Sequence, residues 1–82
     1  MKNTLEHIAL DFKLLVEQRG EGDFQYIIYR DDKHLITSTN ISTFKLAEIK
    51  GFKDLKKRLI NRTKHLKAEI FTINEELYKR VK

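Results

Sequence analysis

Residues 3–20 read NTLEHIALDFKLLVEQRG, and the conformation of this stretch decides the architecture of an 82-residue chain. Leu5, Ile8, Phe12, Leu15 and Val16 recur at intervals of three and four, the spacing that stacks side chains on one face of a helix. Asn3 followed by Glu6 fits a capping box, in which each side chain satisfies a backbone N–H left over at the helix start. Gly20 suits the left-handed residue that closes a helix. The pattern therefore predicts an N-terminal helix over about 4–19. Leu10 and Leu14 fall on its opposite face, so this helix must be covered on more than one side.

Beyond it the period changes. GEGD, residues 20–23, is a turn. FQYIIYR and HLITST are rich in aromatic and β-branched residues and flank DDK, which predicts a β-hairpin over about 23–39. A two-residue loop would pair Ile27 with Ile36, and a three-residue loop would pair Ile28 with Ile36. Residues 42–50 fit either a third strand or the start of the last helix, because Lys, Leu, Ala and Glu favour helix. From Phe52 onward, Leu55, Leu59, Leu66, Ile70, Ile73, Leu77 and Val81 share a sector of about 80° at 100° per residue. This predicts a break at Gly51 and a long amphipathic helix over about 52–81. The fold class is α+β in a single domain, 1–82.

Such a helix would be about 45 Å long at 1.5 Å per residue. A globule of this size has a radius of gyration near 12 Å. The excess apolar stripe must either bend back, for which FTIN at 71–74 offers a hinge, or meet a second chain. In the second case Ile70, Ile73, Leu77 and Val81 form the seam of a homodimer.

The composition, 40% apolar and 35% charged, is that of a charge-rich globule and not of a disordered chain. Without cysteine there is no disulfide, thiolate metal site or thiol nucleophile. No apolar run is long enough to span a bilayer, and Glu6, His7, Asp11 and Lys13 interrupt the N-terminal stretch, which excludes a signal peptide. The expectation is a cytoplasmic protein with no membrane contact. Lys- and Ile-heavy usage suits an AT-rich genome, such as a bacterial one or its mobile elements, and a phage or mobile element is the expected source.

The charge is concentrated. KGFKDLKKRLINRTKHLK, residues 50–67, holds eight of the seventeen Lys/Arg and one of the twelve acids, so it carries +7 while the remainder carries −2. Lys50, Lys53, Lys56, Lys57, Arg58, Arg62, Lys64 and Lys67 are the candidate contacts to nucleic acid or a nucleoprotein complex, since cations on one helix neutralise phosphates. The bland alternative is a solvated lysine-rich face. No helix-turn-helix precedes the segment, and the hairpin before it is foreign to basic-leucine-zipper proteins. Tyr26 and Tyr29 offer rings for base stacking or a protein hot spot.

Catalytic chemistry is poorly supported. His7, His34 and His65 are scattered, and Asp31 and Asp32 read as turn formers. His7 and Asp11, four apart, suit an exposed helix ion pair better than a shared metal. Three glycines cannot build a phosphate-cradling loop. The expectation is a non-enzymatic accessory or regulatory protein without cofactor or metal. The alternative is an inhibitor or adaptor docking on a host protein, in the functional manner of anti-CRISPR-type inhibitors, or a structural dimerisation module.

Overall fold

A computed structural model describes residues 4–62 and 67–81, and their side chains except those of 61, 62 and 67–69. Four strands, β1 (Thr4–Ala9), β2 (Phe12–Gly20), β3 (Asp23–Arg30) and β4 (Lys33–Ile41), form an antiparallel meander in the order β1-β2-β3-β4. Two helices follow, α1 (Phe44–Arg62) and α2 (Lys67–Val81). The α+β class stands, but there is no N-terminal helix.

The stretch expected to be that helix is the β1–β2 hairpin, turned at Leu10–Asp11 with Ala9 opposite Phe12. Alternation explains it better than the helical period. Phe12, Leu14 and Val16 are buried, while Lys13, Leu15 and Glu17 between them are only half-buried on the other face. Leu14, stranded on the wrong side of the helical reading, has no exposed surface. Helical spacing was present, but β2 lies between β1 and β3, and pairing on both edges outweighs local preference. Glu6 lies in β1, and Asn3, its capping partner in the helical reading, lies outside the described residues. The turn leaves Leu10 with φ 57° and half its surface exposed, in a region that bulky residues rarely adopt.

The β3–β4 hairpin was anticipated, and its register combines the two alternatives. The loop has two residues, Asp31 and Asp32, both left-handed, as a tight twisted hairpin turn requires. Arg30 pairs with Lys33 and Tyr29 with His34, and then a bulge at Leu35 shifts the register so that Ile28 meets Ile36. The neighbouring turn is tied in: Arg30 Nε donates to Asp11 Oδ2 at 3.0 Å and Asp31 N–H to the Asp11 carbonyl at 2.9 Å.

Residues 44–50 open α1, so the ambiguous segment adds no strand. Thr43 caps the helix, its Oγ1 accepting the Leu46 N–H at 3.0 Å. The expected break at Gly51 does not occur, because that residue lies mid-helix and is buried. Residues 71–74 are no hinge either, since they lie within α2. One apolar phase runs through two helices: Leu55, Leu59 and Ile73 are fully buried, and Ile70 and Leu77 pack against the same core. The single long helix, from which the dimer seam was deduced, is thus replaced by two helices that pack on each other in a molecule of radius of gyration 12.4 Å.

α1 lies across β2 and β3, and α2 packs on α1. Arg80 fastens that second contact. Its guanidinium bonds Glu48 at 2.7 Å and Glu76 at 2.6 Å, with Cζ 4.8 Å from the centre of the Phe52 ring. The hydrogen bond from Arg80 holds the Glu76 carboxyl below its ordinary range. On the sheet side, His7 meets Phe52 edge-on at 5.1 Å.

At Gly51 the helix backbone lies close against the sheet. A Cβ there would stand 2.8 Å from Leu14 Cδ1 and 3.3 Å from Tyr26 Cβ. Helix propensity alone favours Gly51→Ala by about 1 kcal/mol, but the clash in a filled core costs more. The expected result is a net loss of about 1 kcal/mol or more, read as a lower urea midpoint; a stabilised variant would contradict the close contact.

Candidate nucleic-acid interface

Of the eight cations in residues 50–67, five have described side chains, and α1 carries all of them. Lys64 lies outside the described residues, as do the side chains of Arg62 and Lys67. α1 turns Ala47, Gly51, Leu55 and Leu59 to the core. Lys50, Lys53 and Lys57 are exposed. At 100° per residue these three lie within about 60° of one another, opposite the buried line. Seven residues at 1.5 Å each put them along about 10 Å of helix. Among the described residues none of the three is ion-paired. Leu46 and Ile60, 37% and 50% exposed, bracket the stripe.

The remaining cations differ. Lys56 is half-buried. Arg58 is committed internally, its Nε donating to Asp54 Oδ1 at 2.8 Å. The other oxygen of Asp54 accepts the Tyr26 hydroxyl at 2.8 Å. Asp54, the single acid of the basic segment, is thereby neutralised from within the chain and does not offset the lysines beside it. Lys53, Asp54, Lys57 and Arg58 together line an open cleft of about 490 Å³.

The two tyrosines proposed for stacking do not share a surface. Tyr26 is buried under α1, with its hydroxyl spent on Asp54. Tyr29, three residues on and on the opposite sheet face, has Lys13 Nζ 4.9 Å from its ring centre and the His34 ring 6.1 Å away. The expected seam is also divided. Ile73 is fully buried within the chain, Ile70 and Leu77 pack against its core, and Val81 is 61% exposed.

Sequence reasoning missed the Tyr26–Asp54–Arg58 chain. Asp54 and Arg58 are visibly four apart, a spacing that pairs on any helix. Tyr26 is brought to them only by the fold. Lys45, exposed in the first turn of α1, was missed because that turn was not assigned. His7 and Asp11 do not converge, one facing Phe52 and the other Arg30, and among the described residues no acid and histidine cluster is arranged to hold a metal. Nor, among them, is any helix long and apolar enough to cross a membrane.

Burial pushes the Tyr26 hydroxyl up to about 12 from 10.0, and the hydrogen bond to Asp54 and its charge add to the effect. Between those two values the folded chain keeps a proton that the unfolded chain has lost, so stability must fall as pH rises through that window. Tyr26→Phe should cost about 1–2 kcal/mol at neutral pH, because Asp54 loses a donor. Its urea midpoint should then decline less steeply than that of the native chain above pH 10, and parallel declines would exclude the linkage. No family model matches the chain, and no curated protein or solved structure does either, so the functional reading rests on this geometry alone.

Proposed function

We propose that the chain is a small non-enzymatic accessory protein that binds nucleic acid, or the nucleic-acid part of a nucleoprotein, through the outward face of α1. The observation that carries this reading is the row Lys50, Lys53 and Lys57, exposed, without ion pairs among the described residues, and next to an acid already neutralised by Arg58. Three ammonium groups along about 10 Å of helix suit successive phosphates of a backbone.

The same face carries little that reads bases. Its described side chains between Lys50 and Ile60 are lysine, apolar, or the paired Asp54 and Arg58. Ammonium groups act as point charges and not as planar forks, so binding is expected to be independent of sequence. A second reading, docking on an acidic patch of a host protein, draws on Leu46 and Ile60, since exposed apolar side chains beside the lysines add nothing to a phosphate contact.

Fluorescence anisotropy with labelled duplex DNA, single-stranded DNA and RNA between about 50 and 200 mM salt separates the two. Three phosphate contacts give duplex DNA a log–log slope of about −3, or roughly 40-fold weaker binding over that range. Lys50→Glu/Lys53→Glu/Lys57→Glu should abolish the slope and leave the thermal melt in place. Lys33→Glu, in the β3–β4 hairpin, should leave binding unchanged. A triple variant that binds like the native chain would remove α1 as the interface. No binding to any of the three probes at the lower salt would favour the protein partner.

A further inference from the structure

The open cleft on α1 is lined by Lys53, Lys57 and Arg58, with Asp54 among them. Arg58 is bound to Asp54 through Nε alone. Its terminal nitrogens have no partner among the described residues, so the outer edge of the guanidinium remains open. The same bond holds the group in place. Asp54 is fixed in turn by the Tyr26 hydroxyl, and Tyr26 is buried under α1. A guanidinium anchored through that chain is positioned before any ligand arrives, and it loses less freedom on closing round one.

We propose that this cleft is a seat for a phosphate monoester, the group carried at the 5′ end of a cleaved nucleic-acid strand and on a free nucleotide. The proposal rests on the reading of α1 as the nucleic-acid face and names the part of the ligand that binds most tightly there. Charge and oxygen count select a monoester over the diesters inside a strand. Three cations less one carboxylate leave the cleft at +2. A monoester carries roughly −2 at neutral pH and presents three terminal oxygens, whereas a diester carries a single charge and presents two. Asp54 does not repel the dianion as a bare carboxylate would, because each of its oxygens already accepts a hydrogen bond. The fork of Arg58 suits two of the oxygens in parallel. Lys53 and Lys57, one turn apart, supply point charges for the third. Lys50 stands about 5 Å further back along the helix axis, where a strand leaving the cleft meets another cation. A phosphoserine peptide bears the same group but has no second phosphate for Lys50, which favours the strand.

The test is fluorescence anisotropy with one single-stranded DNA labelled at its 3′ end and made with either a 5′-phosphate or a 5′-hydroxyl. The native chain should bind the phosphorylated strand about tenfold more tightly, the effect of one charge-assisted fork. Equal affinities overturn the seat and leave the nucleic-acid reading standing. No binding to either strand overturns that reading, and the seat falls with it. Arg58→Lys keeps the charge without the fork and should bring the ratio close to one. Tyr26→Phe releases Asp54 and should lower the ratio severalfold, with a thermal melt to show that each variant is folded. A ratio untouched by Arg58→Lys overturns the role of the guanidinium. Titration with a nucleoside 5′-monophosphate and with inorganic phosphate, followed by amide shifts in α1, separates the sources. Shifts at residues 53–58 make the free group a ligand in its own right, and their absence beside a retained strand preference makes the strand end the ligand. A phosphoserine peptide bound as tightly as the phosphorylated strand overturns the assignment to nucleic acid.

Discussion

The contact of Gly51 with Leu14 and Tyr26 sets the geometry of everything above the sheet. A helix laid on a sheet is normally held off by its own side chains. At Gly51 there is none, and α1 settles until an added Cβ would overlap Leu14 Cδ1 at 2.8 Å. One turn further on, that approach brings Asp54 within 2.8 Å of the Tyr26 hydroxyl. On the other flank of the same turn it sets Phe52 against His7 below and Arg80 above, and Arg80 is where α2 is held. The lysines face outward because Gly51, Leu55 and Leu59 face inward at helical intervals.

Against that frame, the legible and illegible parts of the sequence divide by the range of the interactions that decide them. The β3–β4 hairpin was readable because its β-branched and aromatic runs are local, and its bend is made of two aspartates that tolerate left-handed angles. The β1–β2 hairpin was not. Leu5, Ile8, Phe12 and Leu15 satisfy a helical period, and the turn at Leu10–Asp11 carries no glycine or asparagine to announce it. Only pairing along both edges of β2 decides the matter, and Leu14 was the residue that objected to the helix.

The C-terminal half failed in a different way. Its apolar phase was read in part: the buried Leu55, Leu59 and Ile73 belong to it, whereas Val81 is 61% exposed and Leu66 lies outside the described residues. Continuity of phase is not continuity of helix, however, and two helices folded on each other can share one phase if both turn the same side to one core. Gly51 was taken as a break because the regular apolar phase begins at Phe52, whereas the structure keeps it in mid-helix and uses its missing side chain. The candidate site inherits the same limit. Its lysines could be listed from the sequence, but the assignment of Arg58 to Asp54 and the exposure of Lys50, Lys53 and Lys57 require knowing which way α1 is turned.

That exposure carries a physical consequence for the helix itself. Lys53 and Lys57 are four residues apart, and Lys50 and Lys53 are three apart, so both pairs are neighbours on the surface. Like charges at such spacings each cost a helix a few tenths of a kcal/mol, where an interleaved glutamate would have contributed about as much in the opposite sense. α1 does contain this favourable arrangement, Asp54 with Arg58, but places it beside the buried Tyr26 and not in the exposed row. Solubility does not require the lysines to be adjacent, since mixed charges serve it as well. The fold gains nothing from the row and is slightly weakened by it, and its mutual repulsion is relieved when an anion lies along the helix.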